Sequence, residues 1–310
     1  MIPNSLPYFD IPWGNNEDSR SISTQFHATD SEILLEQNSK ILKDTNWRGL
    51  NQSIKYTFNN KGFRCNFDFD DDFDFSNYIV VLGCSHVVGV GSPMSETVTE
   101  QLSKITNYPI INMGVSGASN SLIFQNLVWI LSRKYKPKKI VVLWTSLYRD
   151  TIYTQKMKRI QINAGRKDNY SLERKEFSNY MLPAYVTDYL ERISLSHFEM
   201  VSHMNNIDVY AFNFFNHRDY QSIENKHLES TFLDKFSFGN EEFDLHFQKR
   251  RSAETKVFSG EINLDTFLDS WFGRDLQNLD PNLKQLGALF AHYGPITNNW
   301  IANFITSKVM

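Results

Sequence analysis

The chain has almost nothing with which to brace itself covalently: two cysteines, Cys65 and Cys84, in 310 residues. Two thiols cannot make a disulfide framework, so the fold must rest on its core and its hydrogen bonds. The opening, MIPNSLPYFDIPWGNNEDSR, lacks the basic start and apolar run of a secretory signal. No apolar stretch approaches the roughly 20 residues needed to cross a bilayer. A chain of a reducing compartment, the cytoplasm, with no membrane partner is the expectation. Positive charge is not in excess either. A net charge of −3 and a pI near 6.2 speak against a nucleic-acid partner, which usually leaves a basic footprint. The local run Lys156–Arg159 with Arg166 and Lys167 is followed by Asp168, Glu173 and Glu176, and reads as a solvated face. His197 and His203 are six apart, on different faces of a helical pattern, and no H-x-x-x-H occurs, so no metal is expected. GxGxxG and the phosphate-loop pattern are absent too, and no cofactor is expected.

Aromatic residues, in contrast, are plentiful: 14% of the chain, with 24 Phe, enough for a substantial core. Residues 1–77 are polar, rich in Asn and Asp, and read as an extension packed on a main domain spanning 78–310, with a charged insertion or lid at about 151–180. In the extension, Ser31–Leu42 is a helical candidate. Phe and Asp largely alternate from Phe67 to Phe75, which suits a strand or sheet edge with one aromatic face. Asp68, Asp70 and Asp72 do not make a calcium loop, since Phe73 and Ile79 stand where Gly and Glu are required. The Asn-rich style suits a viral or bacterial accessory protein.

From Tyr78 the pattern becomes regular. YIVVLG (Tyr78–Gly83) reads as a buried strand. Ser92-Pro93 is a helix start, with the helix running through Val98 and Leu102 to about Thr106. A second strand, Pro109–Val115, a helix from about Asn120 to Tyr135, and a third strand, Lys139–Ser146, follow. This β-α-β-α-β alternation predicts a parallel sheet covered on both faces. A helical pattern over 184–206 leads to a fourth strand, Ile207–Phe215. Residues 216–279 give no firm assignment, and a last helix spans about Pro295–Val309.

Open parallel sheets bind ligands beyond the carboxyl ends of their strands. Three strand ends therefore hold the candidates: Gly83-Cys84-Ser85-His86, Asn112 to Asn120, and Leu143 to Ser146. A serine just after a buried strand, flanked by glycines and followed by a helix, suits a nucleophile, because the turn is tight and a helix dipole lies near the developing anion. A glycine amide at the second strand end can point at an oxyanion with no side chain in the way.

The order strand-GCSH, strand-NMGVSG, strand-LWTS, then a late His before the terminal helix, resembles the SGNH (GDSL) hydrolases. The phrase TFNNKGFRCNF (Thr57–Phe67) looks like the Asn-x-x-Gly-Phe-Arg lead-in that many of them carry. The resemblance covers about Tyr56–Ser146 and Ala291–Phe304. It implies a flavodoxin-like three-layer α/β/α fold with a central parallel sheet and a serine esterase activity. By it, Ser85 is the nucleophile, Gly117 the oxyanion glycine and His292 the base. Small acyl esters, such as acetyl groups on a glycan, are the implied substrates.

Four positions depart from the family pattern. Cys84 replaces the Asp of Gly-Asp-Ser; it and His86 are expected to line the site, with Cys84 a lesser candidate for the nucleophile itself. The third block has no Asn, so Ser146 or Thr145, or Asn120 from the second loop, must supply the remaining oxyanion donor. Leu289, Phe290 and Ala291 include no acid before His292. The site is then a Ser–His dyad, or an acid comes from elsewhere, with Asp275 and Asp280 nearest upstream and His217 an alternative base. Two other functions fit the same residues: a binding or structural module with a degraded site, and an acyltransferase that excludes water.

Overall fold

The β-branched runs fold as the alternation predicts. In the computed structural model, β3 (Ile79–Gly83), β4 (Ile110–Gly114), β5 (Lys139–Trp144) and β8 (Val209–Asn213) form one parallel sheet in the order β4-β3-β5-β8. Counted along the chain that is 2-1-3-4, the flavodoxin-like order, with its switch point between β3 and β5. The structure describes residues 14, 21–70, 72–145, 149–153, 159–163, 207–213, 240–277, 279 and 291–310.

Alternate residues of the strands feed opposite faces. Val80, Leu82, Ile111, Met113, Ile140 and Val142 pack against α4 (Asn120–Leu131) through Leu122, Ile123, Leu127 and Ile130. Ile79, Val81, Val141, Leu143 and Phe212 face α3 (Val98–Thr106) and α7 (Pro295–Val309), meeting Leu102, Ile301 and Ile305. Three layers result, because side chains of a strand alternate while a helix offers one stripe. Among the described residues no helix is long and apolar enough to cross a membrane.

Several boundaries move for identifiable reasons. Ser92 is not a helix cap: Met94–Glu96 is a 3-10 turn, and α3 starts only after Thr97, whose hydroxyl accepts the Glu100 N–H. α4 stops at Leu131, four residues short of Tyr135, with Ser132 at its C-cap and Ser132 Oγ donating to the Trp129 carbonyl. Phe67–Phe75 is not a strand. It turns instead, seating Phe69 and Phe75 in the core against Trp129, so aromatic burial overrides the period-two pattern. Within the unassigned stretch lie α5 (Asn240–Phe258) and α6 (Leu264–Trp271), the latter capped by Asn263. The charged insertion begins as an antiparallel hairpin, β6 (Arg149–Tyr153) with β7 (Arg159–Asn163). The rest of that insertion and the 184–206 pattern lie outside the described residues.

Residues 21–77 lie on the sheet domain. α1 (Glu32–Ile41), capped by Ser31, is followed by Leu42 and Trp47, which pack on Phe267, Leu268 and Phe272. The short strands β1 (Ser23–Thr24) and β2 (Tyr56–Thr57) pair beside them. The guanidinium of Arg48 spans Glu96 and Asp269, joining the three segments at the surface.

Candidate active site

Register places the first two loops together. Gly83 pairs with Gly114, so the chains leaving β3 and β4 emerge side by side, about 4.8 Å apart. A four-residue helix, α2 (Ser85–Val88), starts at Ser85 itself and ends on Gly89, which takes the left-handed conformation at φ 73°. It sits so close to the sheet that a side chain on Gly83 would meet Val87 at 2.4 Å, and one on Gly114 would meet the Val88 nitrogen at 2.5 Å. Two side chains from other segments hold its carbonyl end. Asn112 Nδ2 donates to the Val87 carbonyl (2.7 Å), and Arg64, buried at 1% exposure, donates to those of Val88 and Gly89 (2.9 and 2.7 Å). A cation at a helix C-terminus is favourable, and here it also satisfies carbonyls the short helix leaves unpaired. Burial pushes the Arg64 guanidinium down to about 10, against the pull of Tyr56 and Asp30.

The second loop turns at Gly117, φ 68°, before Ser119 caps α4. Among the described residues neither the Ser85 nor the Gly117 amide donates to a protein acceptor. At Ser85 that follows from its place in the first turn of a helix. Asn120 has a different task from the donor role set out above. Its side-chain amide clasps the main chain of Thr145, accepting from N (2.8 Å) and donating to O (3.2 Å), and so ties the second strand end to the third.

The third part of the site comes from two distant segments. His292 Nδ1 is 2.6 Å from Asp275 Oδ2, and the His292 backbone N–H donates to Oδ1 of the same carboxylate at 3.1 Å. The acid missing from residues 289–291 thus reaches the histidine from seventeen positions upstream. Backbone pairing explains how: Phe272 bridges Tyr293 antiparallel, Gly273 N–H donates to the His292 carbonyl, and Gly294 N–H to that of Trp271. The loop that follows Ser85 docks on the same segment, since Arg274 N–H donates to the Gly91 carbonyl (2.6 Å). Gly91, at φ 74°, leaves room for the acid, for a Cβ there would lie 2.4 Å from Asp275 Oδ1.

His292 lies against the residue after Ser85. The His86 and His292 rings are 4.7 Å apart, and the His86 ring also packs, tilted, on Tyr293 at 4.1 Å. Burial, then the charges of His292 and Arg149, push His86 well below the usual histidine range, so it is a neutral ring wall. Burial alone would raise the Asp275 carboxyl; the attraction of His292 and the hydrogen bonds from His292 and Thr29 overcome it and hold the group ionised below its ordinary range. His292 Nε2 takes no hydrogen bond among the described residues, and none joins Ser85 Oγ to the ring.

A buried polar network beneath this pair escaped the sequence reading. Arg274 donates to both oxygens of Asp30 (2.9 and 2.7 Å) and to the carbonyls of Gln52 and Gln25. Tyr56 Oη donates to Asp30 at 2.5 Å and accepts from the Gly91 N–H at 2.8 Å. Nothing local in the sequence marks Asp30 or Arg274, which are 244 positions apart; only Arg64, in the lead-in block, had a signal. His27 Nε2 is hydrogen-bonded to Ser116 Oγ at 2.7 Å, in the second loop. Burial, then the charges of Arg64 and His292, push His27 down to about 4, which makes it a poor base.

Of the remaining candidates, Cys84 is buried in the core on the α4 face. Ser146, His217, Asp280, Leu289 and Phe290 lie outside the described residues. Among the described residues no three ligating side chains are grouped to hold a metal.

No family model and no curated protein matches the chain. Solved structures do. The SGNH-hydrolase family esterase AlinE4 is similar at 19% identity and TM-score 0.28 over 45% of this chain and 60% of its own. The acetyl xylan esterase Est2A from the rumen bacterium Butyrivibrio proteoclasticus is similar at 13% identity and TM-score 0.29, over 52% and 54%. A G-D-S-L family protein from Desulfitobacterium hafniense DCB-2 is similar at 8% identity and TM-score 0.35, over 76% and 100%. The chain spans less than two thirds of the length of both esterases. With every TM-score below 0.5, the fold assignment rests on strand order and layering instead.

Proposed function

We propose that the chain is a serine ester hydrolase of SGNH type that acts on small acyl esters. The observation that carries this reading is the Asp275–His292 pair, 2.6 Å long and seated beside the loop of Ser85. Ser85 Oγ attacks the acyl carbonyl while His292 Nε2 takes its proton, and Asp275 stabilises the imidazolium and keeps the other ring proton on Nδ1. The Ser85–Nε2 hydrogen bond forms as substrate binds, a tightening common at such sites. Oxyanion charge falls on the Ser85 and Gly117 amides, which no protein acceptor takes among the described residues. His292 then protonates the leaving alcohol, and water releases the acyl group by the same steps reversed.

Acetyl groups on a glycan are the substrate we favour. A groove of about 730 Å³ has Pro295, three residues past His292, in its lining, with Trp271, Trp300, Gln101, Asn299 and Lys249. Aromatic faces with a few amides suit a sugar ring. The test is hydrolysis of p-nitrophenyl acetate and of an acetylated xylo-oligosaccharide by wild type and Ser85→Ala. Loss of both activities in the variant is expected; equal rates remove Ser85 from the mechanism, and no hydrolysis by the wild type leaves a binding module. Acyl transfer by the same residues is read from the product, an ester of an added alcohol in place of free acid.

A further inference from the structure

We propose that Thr29, from the N-terminal segment, is a positioning residue that fixes the Asp275 carboxylate and, through it, the tautomer of His292. The inference rests on the esterase reading for its consequence in catalysis, but its geometry is independent of it.

Thr29 sits in a two-residue turn closed by paired hydrogen bonds between His27 and Asp30 (2.9 and 3.1 Å). Within it Ala28 has φ 55°, a left-handed conformation that is strained for a non-glycine residue. The turn is held in that state from both ends. His27 is bonded to Ser116 in the second loop, and Asp30 is buried on the Arg274 guanidinium. Between these anchors Thr29 itself is exposed. Its hydroxyl nevertheless donates to Asp275 Oδ2 at 2.6 Å and lies 3.4 Å from His292 Nδ1.

The carboxylate needs such a contact. The outer torsion of an aspartate is soft, and one hydrogen bond does not define its plane. Here Oδ1 accepts the His292 backbone N–H, while Oδ2 accepts both the ring Nδ1–H and the Thr29 hydroxyl. With both oxygens held, the Nδ1–H bond is directed and Nε2 is left as the unprotonated nitrogen, facing away from the acid. An exposed threonine contributes little to packing, so its hydroxyl can be removed without emptying the core.

Thr29→Val and Thr29→Ser in the full chain test the proposal, with two readouts: kcat and KM on p-nitrophenyl acetate, and the ¹⁵N shifts of the His292 ring, which report the nitrogen carrying the proton. The valine variant is expected to lose about 10–100-fold in kcat with KM unchanged, and to move the ring shifts toward a mixture of tautomers. The serine variant is expected to keep both. Wild-type ring shifts in Thr29→Val overturn the proposal, whether or not kcat falls. Shifts that move while kcat does not uphold the positioning role and separate the His292 tautomer from the rate; shifts that move in a protein whose wild type hydrolyses no ester uphold the positioning role and overturn the esterase reading.

Discussion

The two halves of the candidate site are made of different materials. The sheet half, holding Ser85 and Gly117, stands on strands whose side chains are largely apolar and buried on both faces, and the polar side chains that clasp it, Asn112, Arg64 and Asn120, bind backbone. The other half, holding Asp275 and His292, stands on charged and hydroxyl groups from segments more than 200 positions apart: Asp30 with Arg274, and Thr29 with Asp275. An apolar layer tolerates small changes of volume and keeps its strands in register. A buried ion pair does not tolerate loss of one partner, because the other is left charged and unsolvated. The halves should therefore fail differently when cut.

The largest effect is expected on catalysis. His292→Ala and Asp275→Asn should each lower kcat for p-nitrophenyl acetate by about 10³–10⁴-fold, the second by removing the acceptor that fixes the Nδ1 proton. A loss as small as twofold in Asp275→Asn would dissolve the proposed partnership. Next comes stability in the polar half. Asp30→Ala strands Arg274 in the interior and should cost about 3–5 kcal/mol in urea unfolding. Replacing Asp30 and Arg274 together by Leu and Met should cost less than Asp30→Ala alone, and equal costs would show that the pair's burial is not what matters.

Acid separates the halves as well. His27 and His246 (the latter buried on α5 and hydrogen-bonded to Thr297) are both held down to about 4, chiefly by burial. Each takes up its proton near 6.5 when unfolded, so the unfolded chain binds more protons between those values. Their contribution is intact above pH 6.5 and is lost as pH falls toward 4. The lowered Asp275 carboxyl adds a contribution present above its unfolded value and lost only at more acid pH. Melting temperature measured from pH 8 to 4 should show this decline, and His27→Gln, which can still bond Ser116, should flatten it. An unchanged slope would place the acid sensitivity elsewhere. The smallest effect belongs to the sheet half. Ile111→Val should cost about 0.5–1.5 kcal/mol and leave kcat unaltered, whereas a fall in kcat would mean that the sheet transmits strain to the site.

The same contrast explains what could be read from the sequence. YIVVLG and the strands after it carry their own periodicity, and the glycines at Gly83, Gly114 and Gly117 announce turns, so the parallel sheet and the Ser85 loop were legible. Phe67–Phe75 misled because alternation of Phe and Asp encodes which side chains are buried, and a turning chain can bury them as well as a strand. Asp275 was one of two upstream acids that could be named, but what selects it is backbone pairing of residues 271–274 with 292–294. Thr29, Asp30 and Arg274 are ordinary residues in ordinary contexts, and their roles exist only once α1 and α6 have packed through Trp47 and Phe267. Long-range polar complementarity leaves no local pattern to find.

In the proposed mechanism Ser85 is the serine which the Asp275–His292 pair activates. The most direct measurement is labelling of the full chain with a serine-reactive fluorophosphonate, followed by peptide mass mapping. A single adduct on Ser85 is expected, formed slowly in Asp275→Asn and absent in His292→Ala. An adduct on Ser116, the serine bonded to His27, or equal labelling of Ser85 in all three proteins, would contradict it.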